Sequence, residues 1–239
     1  MTTAPPPAQQ PEPTDRPRTL RVMSYNIHGL KDDTKALAAL VKELAPDVAI
    51  LQEAPRRWRW RQRCADLARS VDMVVAGGGL PALGNLVLTN LRVRSREVWC
   101  VQYPLTPGRH MRGAVFARCV VGRTTFVAVG SHLSTDATER PNQATLLKKY
   151  LSEVDEPVVF GADVNENSGG FAWRTLADGL VDGGAGEEEG TFPASAPTDR
   201  IDALFTDPHW TVLGHRVVDT PAARTASDHL PLLVDLAVT

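Results

Sequence analysis

Polar side chains that could carry metal or acid–base chemistry follow an apolar segment in the stretch PVVFGADVNENSGG, residues 157–170. Val158, Val159 and Phe160 have the character of a buried strand, and Asp163 and Asn165 come shortly after it. A buried charge without a partner is unfavourable, so such a carboxylate is usually paired or binds a metal. A strand-end Asp or Asn is also a common turn residue, so the interpretation depends on whether the pattern repeats.

The pattern repeats beside five other predicted strands. In chain order, the residues at these positions are Asn26, Glu53, His132, Asp202 and the pair Asp228 and His229. Ligand sites of open α/β sheets lie at strand ends, where loops converge. Carboxylates, amides and two histidines in one place suit a hard cation with acid–base groups beside it, and Mg²⁺ binds through oxygen ligands and substrate phosphates. The sequence has no thiolate or paired-histidine spacing that would indicate zinc.

The elements that must position these residues alternate between strands and helices. Asp33 is placed to cap a helix that carries Leu37, Leu40, Val41 and Leu44 on one face. A second helix is predicted over about 139–153, and another begins within 55–63. Strands are predicted at 20–26, 47–52, 84–89, 92–100, 113–121, 124–131, 157–163, and near 200–206 and 230–237. Strands interspersed with helices favour an α/β protein with mixed sheets.

Length and composition indicate an ordinary globular protein. The chain has 239 residues, of which 43% are hydrophobic, enough for one sizeable core. A net charge of −2 gives no general attraction to nucleic acid or to an anionic membrane, so such binding would need a local patch. The three cysteines are odd in number and widely spaced, which argues against a disulfide framework. We expect the protein to be a monomer.

The N-terminal residues differ in composition from the rest of the chain. Residues 1–18 are rich in Pro, Gln and Thr and predict a disordered tail, followed by a single catalytic domain over residues 19–239. The tail lacks the apolar core of a signal peptide, and no apolar run of about 20 residues could span a bilayer. We therefore expect a cytoplasmic protein without stable membrane insertion.

A basic and aromatic segment, PRRWRWRQR (55–63), follows Glu53 directly. Arginine binds phosphate through its planar fork and indole rings stack on bases, so this segment, with Arg57 and Arg59, is a candidate edge for contact with a polyanion. The alternative is an amphipathic helix with solvated arginines and half-buried tryptophans. Arg112 is a further candidate for a contact with the substrate phosphate.

Six short motifs resemble those of the endonuclease/exonuclease/phosphatase superfamily, which includes deoxyribonuclease-I-like enzymes. They are YNIHG (25–29), LQE (51–53), SHL (131–133), GADVN (161–165), RID (200–202) and SDHLP (227–231), in the family's order. The resemblance covers roughly residues 19–237. It implies a four-layer α/β sandwich, in which two mixed β-sheets pack face to face with helices on the outside. It also implies magnesium-assisted hydrolysis of a phosphate ester, with Mn²⁺ as an alternative ion.

The resemblance assigns three residues to the cation. Glu53 would be the main metal ligand, with Asn26 beside it. Asp228 would support either the metal or the adjacent His229. One position departs from the family's pattern, because Ala162 stands directly before Asp163, where the family usually has Gly. Alanine is small, so we expect the backbone to tolerate it.

The same resemblance assigns five residues to the water and the phosphate. Asp163 would orient or deprotonate the attacking water, and His229, oriented by Asp202, would donate to the phosphoryl oxygens or act as the acid–base partner. Asn165 would hold a phosphate or leaving-group oxygen, and His132 would contact the phosphate from the other side. Phosphoryl transfer needs an aligned nucleophile and donors aimed at the developing charge, which these residue types provide. The sequence leaves open which of Asp163 and His229 is the base.

Three functional hypotheses follow. The first is a magnesium-dependent phosphodiesterase or nuclease that acts on nucleic acid. The second keeps the fold but changes the substrate to a phospholipid, phosphoinositide or sphingomyelin-type headgroup. The third is a catalytically silent binding module, which the sequence disfavours because none of the metal or acid–base positions is missing.

Overall fold

The computed structural model describes residues 18–185 and 189–238, which form twelve strands and five α-helices. The predicted tail therefore lies outside the described residues, apart from Arg18, which begins the first strand. The strands are β1 (Arg18–Asn26), β2 (Val48–Gln52), β3 (Val74–Gly79), β4 (Asn85–Thr89), β5 (Val93–Gln102), β6 (Gly113–Val121), β7 (Thr124–His132), β8 (Val158–Asp163), β9 (Val181–Asp182), β10 (Asp202–Thr206), β11 (Val212–Val217) and β12 (Leu232–Val238). The helices are α1 (Thr34–Leu44), α2 (Trp60–Ser70), α3 (Arg140–Ser152), α4 (Phe171–Ala177) and α5 (Pro221–Ala226).

The strands form two mixed six-stranded sheets. The first sheet has the order β11-β12-β1-β2-β4-β3 and the second the order β5-β6-β7-β8-β10-β9. Within each sheet one pair is parallel, β1 with β2 and β7 with β8, and the other pairs are antiparallel. The two parallel pairs matter for function, because the carboxyl ends of parallel neighbours emerge at the same edge of a sheet.

The structure confirms the predicted four-layer sandwich. Three buried apolar clusters fill the spaces between its layers. One cluster lies between the first sheet and α1, α2 and α5, with Tyr25, Leu37, Leu67 and Ala223 among its members. A second fills the space between the sheets, with Ile50, Val87, Val115 and Leu204. The third lies between the second sheet and α3 and α4, with Leu147, Phe160, Trp173 and Phe205.

The helix predicted after Asp33 is confirmed in detail. It spans Thr34–Leu44, and the Asp33 carboxylate accepts hydrogen bonds from the backbone N–H groups of Lys35 and Ala36. This satisfies two of the N–H groups that a helix N-terminus leaves without partners. The apolar face predicted from the spacing, Leu37, Leu40, Val41 and Leu44, is buried.

Five elements have no counterpart among the predicted ones: β3, β9, β11, α4 and α5. β3 contains the run Gly77–Gly79, which weakens the strand signal, and both valines at its start are exposed. The helices α4 and α5 have seven and six residues, too short to display an apolar repeat in a single sequence. Within the described residues, no helix is long and apolar enough to cross a membrane.

Strand alternation places the polar residues on the inner faces of the two sheets. Because successive side chains of a strand point to opposite faces, Leu20, Val22, Ser24 and Asn26 continue one row along β1. The first two belong to the cluster between the sheets, so Asn26 extends this inner row to the strand's end. The same alternation leads from Val159 through Gly161 to Asp163 in β8, and from Phe126 through Ala128 and Gly130 to His132 in β7.

The close approach of the sheets beside this site depends on Gly161. A Cβ atom at this position would lie 2.6 Å from Ser24 Oγ and 3.2 Å from Ile50 Cβ, both in the facing sheet. We expect Gly161→Ala to lower the free energy of unfolding by about 1–3 kcal/mol, the usual range for overpacking a core. Urea denaturation should show this loss.

Gly214→Ala provides the control, because a Cβ there has no neighbour within 4 Å. We expect this substitution to change the free energy of unfolding by less than about 0.5 kcal/mol. Equal stability of the two variants would contradict the packing role of Gly161.

Candidate active site

The register of the sheets brings the predicted site residues to one end of the sandwich. Asn26 at the end of β1 pairs with Gln52 at the end of β2, directly before Glu53. His132 at the end of β7 pairs with Asp163 at the end of β8, which in turn pairs with Asp202 at the start of β10. The two sheets meet here through a hydrogen bond of 2.8 Å from Asn26 Nδ2 to Asp163 Oδ2.

His229 and Asp202 form a buried pair. His229 Nδ1 lies 2.8 Å from Asp202 Oδ2, and both residues are buried. Burial alone would lower the pKa of His229, but the charge and hydrogen bond of Asp202, with Asp163 and Asp228 nearby, raise it to about 10. The imidazole is therefore held as a cation, with Nδ1–H on Asp202 and Nε2–H directed towards the side where Asp163 lies, 3.9 Å away.

The aromatic ring of Phe192 packs against the His229 imidazole, with 4.8 Å between the ring centroids. Backbone hydrogen bonds hold this segment in place: Ala194 N–H donates to Asp228 O at 2.7 Å, and Leu230 N–H donates to Thr191 O at 2.8 Å. The segment that carries Phe192 is thus bound to the turn that carries His229, and it limits the positions that the imidazole can take.

Asp163 is almost completely buried, with 1% of its surface exposed. Its carboxylate accepts hydrogen bonds from Asn26 Nδ2 and, at 3.0 Å, from the backbone N–H of Asn165. Burial and the nearby charge of Asp202 nevertheless raise the pKa of Asp163 to about 7, while His229 and these hydrogen bonds act in the opposite direction. A carboxyl group with such a pKa can exchange a proton near neutral pH, as a general base requires.

His132 is held neutral on the other side of Asp163. Burial, together with the positive charge of Arg112, lowers the pKa of His132 well below its ordinary value. Arg112 NH1 lies 3.2 Å from His132 Nδ1, and a guanidinium only donates, so Nδ1 accepts and the imidazole proton is on Nε2. The Nε2–H group faces Asp163 Oδ2 at 3.2 Å and can donate to it. The side-chain nitrogen of Asn165 lies 2.9 Å from Nε2, and it donates to Leu133 O at 3.1 Å rather than to the protonated Nε2.

Carboxylate oxygens without hydrogen-bond partners lie on both sides of the site: Asp202 Oδ1 belongs to the second sheet, and the others follow strands of the first sheet or precede them. Within the described part of the chain, no hydrogen bond or ion pair engages the Glu53 carboxylate. Asp228 Oδ1 is buried and likewise has no hydrogen-bond partner. Glu53 leaves β2 with a φ of 56°, uncommon for a non-glycine residue, and a Cβ at Gly29 would lie 3.9 Å from Glu53 Oε2. Glu53 follows Gln52, which pairs with Asn26, and carboxylate oxygens without hydrogen-bond partners at this end of the sheet fit a hard divalent cation.

Two groups of described side chains have possible ligand atoms within 4.8 Å of one another, Asp163–Asp202–His229 and His28–Asp32–Asp228. In the first group, His229 Nδ1 is already bonded to Asp202 and Asp163 to Asn26. In the second, His28 Nδ1 lies 2.8 Å from Asp32 Oδ2 and His28 Nε2 lies 3.5 Å from Asp228 Oδ2. We interpret the first group as the proton-handling part of the site, because its three residues are buried, Asp202 is hydrogen-bonded to His229, and Asp163 lies 3.9 Å from His229 Nε2.

The three predicted substrate-binding arginines occupy different places. Arg112 is buried at the centre of the site beside His132, where the desolvation of its guanidinium lowers the pKa. Arg57 and Arg59 are exposed on the segment between Glu53 and α2, and the structure does not bring them into contact with the buried groups. The helix predicted within 55–63 begins only at Trp60, so both arginines precede it.

Sequence reasoning missed two residues at this end of the sandwich. His28 lies within the YNIHG motif and contacts Asp228, a proximity that could have been suspected from the motif itself. Phe192 contacts His229 across 37 residues of sequence, and nothing in its local pattern distinguishes it from a core aromatic residue. His28 thus contacts Asp228, one of the predicted metal ligands. Phe192 packs against His229, one of the predicted acid–base residues.

Comparison with known protein families agrees with this geometry. The model of the endonuclease/exonuclease/phosphatase family matches residues 23–229. The chain belongs to this family. Its members are metal-dependent hydrolases of phosphate esters, and this chain is therefore a phosphoester hydrolase. A search of curated proteins finds no match to the sequence.

Solved structures of the endonuclease/exonuclease/phosphatase family share the fold. A mannosyl-6-phosphatase from Bacteroides thetaiotaomicron is 17% identical, with a TM-score of 0.77 over 92% of this chain and 100% of its own. A family member from Beutenbergia cavernae is 24% identical, with a TM-score of 0.73 over 92% of this chain and 72% of its own. TDP2 from D. rerio, complexed with a single-strand DNA product, is 20% identical, with a TM-score of 0.71 over 92% and 99%. At these identities the likeness establishes the shared fold alone.

The contact between Asp202 and His229 predicts a pH effect. Because Asp202 contributes to raising the pKa of His229 to about 10, Asp202→Asn should lower that pKa. The imidazolium is lost as pH rises through its pKa, so the alkaline limb of the kcat/KM profile should move to lower pH. The profile for bis(p-nitrophenyl) phosphate, together with an NMR titration of His229, measures both shifts. An alkaline limb in the same place as in the wild type would contradict the assignment.

Proposed function

We propose that the protein is a magnesium-dependent phosphodiesterase that hydrolyses nucleic acid, acting as a monomeric, single-domain, cytoplasmic enzyme. The observation that carries the proposal is the convergence of Asp163, the Asp202–His229 pair and the neutral His132. Glu53 follows the strand end that pairs with Asn26, and Asn26 donates to Asp163. Acid–base groups beside oxygen ligands for a hard cation are what in-line displacement at phosphorus requires.

Asp163 is the base and His229 the donor in this proposal. With a pKa of about 7, Asp163 is partly ionised at neutral pH and takes a proton from the attacking water. His229, with a pKa of about 10, remains protonated and donates through Nε2 to the phosphoryl oxygens as their charge increases. Asp202 fixes the imidazole by accepting from Nδ1, so it positions His229 without touching the substrate.

The opposite side of the phosphate is bound by His132, Asn165 and Arg112. His132 presents Nε2–H, because its Nδ1 is occupied by Arg112. Asn165 has a φ of 53°, a left-handed conformation that directs its amide towards His132 rather than along the strand. Arg112 adds the positive charge that a phosphate anion needs at a buried position.

Asn26, Glu53 and Asp228 would hold the cation, Mg²⁺ by preference, with Mn²⁺ as an alternative because the ligands are oxygen atoms. A bound divalent cation supplies charge neutralisation for the phosphate and lowers the pKa of bound water. His28 would fix the Asp228 carboxylate, which it approaches to 3.5 Å.

Nucleic acid is supported as the substrate by the basic edge next to Glu53. Arg57 and Arg59 are exposed, and neither forms an ion pair within the described residues, so both are available to phosphates. The chain's net charge of −2 would repel a polyanion weakly, so binding depends on this local patch. A complex of TDP2 with single-strand DNA on the same fold adds support.

Exposed apolar side chains favour a second candidate substrate, a lipid headgroup at a membrane surface. Leu105 and Met111 are exposed on the segment 103–112, which leads to Arg112. Such residues beside basic ones can dock on an anionic bilayer. Flotation with liposomes tests this candidate: binding that persists at high salt, with hydrolysis of a phosphoinositide or sphingomyelin, would favour lipid over nucleic acid.

The assigned roles predict different losses for Glu53→Ala and Asp163→Asn. Glu53→Ala should lose activity through weaker magnesium binding and regain part of it at high magnesium concentration. Asp163→Asn keeps the shape of the side chain and should lose roughly a hundred- to a thousandfold in rate at any magnesium concentration. Hydrolysis of bis(p-nitrophenyl) phosphate measured against magnesium, with EDTA as the metal-free reference, separates the two. Equal recovery of both variants would refute the division between cation and base.

The basic edge predicts a change in the salt dependence of DNA binding. Each arginine–phosphate contact that is removed should reduce the slope of log binding constant against log salt concentration by about 0.7–0.9. Replacing both Arg57 and Arg59 by Ala should therefore reduce this slope by up to about 1.8. Arg94 and Arg96 are exposed on β5, and replacing both by Ala removes the same charge from another surface. Fluorescence anisotropy across a salt series should show a smaller slope only for the first pair. The same slope for both pairs would mean that Arg57 and Arg59 act only through net charge.

A further inference from the structure

The two tryptophans of the basic segment, Trp58 and Trp60, have opposite environments. Trp60 begins α2 and packs against the backbone of β3, where a Cβ at Gly79 would lie 2.7 Å from its ring. The Arg61 guanidinium lies 4.5 Å from the centroid of that ring. Trp58 has 82% of its surface exposed. The sequence pattern could not distinguish them, but only Trp58 has a ring available to a ligand.

The backbone that carries Trp58 is fixed on both sides. Before it, Ala54 N–H donates to Gly84 O at 2.8 Å, and Arg56 NH1 donates to Leu83 O at 2.7 Å. After it, Arg59 takes a left-handed conformation with a φ of 55° and starts α2. An indole on an anchored segment loses less conformational entropy on binding than one on a loose loop.

Trp58 lies close to the reacting groups. It stands five positions after Glu53, so the Cα atoms of the two residues are at most about 18 Å apart even if the chain were fully extended. Arg56 NH1 also lies 3.4 Å from Met111 O, which ties this segment to the residue before the buried Arg112. A strand with a phosphate at the active site could therefore reach Trp58 within a few nucleotides.

Charge and ring chemistry together identify the class of ligand. The Arg59 guanidinium is 5.3 Å from the Trp58 ring centroid, and Arg57, which precedes Trp58 in the sequence, is exposed. Cations at both neighbouring positions suit phosphates, and an exposed indole suits a planar base. Within a duplex the bases stack on one another, so their faces are not available to a side chain, whereas an unpaired base offers its face.

We propose that Trp58 is a stacking platform for an unpaired nucleobase a few nucleotides from the scissile phosphate, so that the enzyme prefers single-stranded substrate. The inference rests on the proposed nucleic-acid function and specifies the form of its substrate. Arg57 and Arg59 bind the phosphates on either side of the stacked base. Trp60 anchors the segment to β3 and does not contact the ligand.

The test compares three variants, Trp58→Ala, Trp58→Phe and Leu91→Ala. Leu91 is the control, because it is 88% exposed and lies in the turn after β4, at the end of the sheet opposite Glu53. Binding of a labelled single-stranded oligonucleotide and of a hairpin duplex is measured by anisotropy in EDTA, which prevents turnover. Loss of one base–aromatic stack should weaken single-strand binding about 5- to 150-fold in Trp58→Ala. Trp58→Phe should recover most of this, and Leu91→Ala should bind as the wild type does.

Abasic substitutions then locate the stacked base. A series of oligonucleotides is made in which each lacks one base, at successive positions. The wild type should bind only one of these oligonucleotides more weakly than the intact strand. Trp58→Ala should bind that oligonucleotide as well as it binds the intact strand. An equal loss for strand and duplex in Trp58→Ala, or no loss for either, would overturn the platform.

Two further outcomes separate the possible causes of failure. In the first, Trp58→Ala no longer binds anionic phosphatidylserine vesicles but keeps the wild-type affinity for oligonucleotides. This result would overturn the stacking platform and indicate that Trp58 contacts a lipid surface. In the second, the wild-type protein hydrolyses bis(p-nitrophenyl) phosphate but binds no oligonucleotide. This result would overturn both the stacking platform and nucleic acid as the proposed substrate.

Discussion

The burial of two carboxylates at the end of the space between the sheets is the constraint on which this structure depends. Asp163 and Asp202 are almost fully enclosed, and a buried charge persists only when it is paired and hydrogen-bonded. The compensating groups come from both sheets and from the final turn: Asn26, His132 and His229. The polar network therefore joins the two sheets where the apolar cluster between them ends. Its chemistry and its contribution to the fold cannot be separated.

The residues around this network are small because the sheets must approach closely. Gly161 faces Ser24, and Gly130 faces Ile50, where a Cβ would lie 2.8 Å from the isoleucine side chain. Alternation also explains why Ala162 is tolerated before Asp163, where the family usually has Gly. Its side chain points away from the site and packs in the cluster beneath α3 and α4. The Ala162 methyl group therefore adds no atoms to the face of β8 that carries Asp163.

Local patterns were sufficient to predict the strands that end in polar residues and the capped helix after Asp33, since both depend on neighbours in sequence. They could not reveal the contacts across the sandwich, such as Asn26 with Asp163, which are separated by 137 residues. Nor could they distinguish Trp58 from Trp60, because two residues on a short segment differ in exposure only through what packs against them. The glycine-rich β3 was missed for a related reason: its pairing with β4 compensates for weak strand propensity.

The site consists of a buried part, in which packing and charge limit substitution, and an exposed part, in which they do not. The titratable groups lie at the closed end of the sheets, where burial and the charges of their neighbours together set their pKa values and leave little freedom for change. Trp58, Arg57 and Arg59 lie on a connecting segment, where substitution has little effect on the core. A mannosyl-6-phosphatase and TDP2 share the fold, so the fold itself does not select the substrate. The proposed recognition surface, an exposed aromatic ring with an arginine before and after it in sequence, lies on this exposed part, where substrate preference can change while the buried groups stay in place.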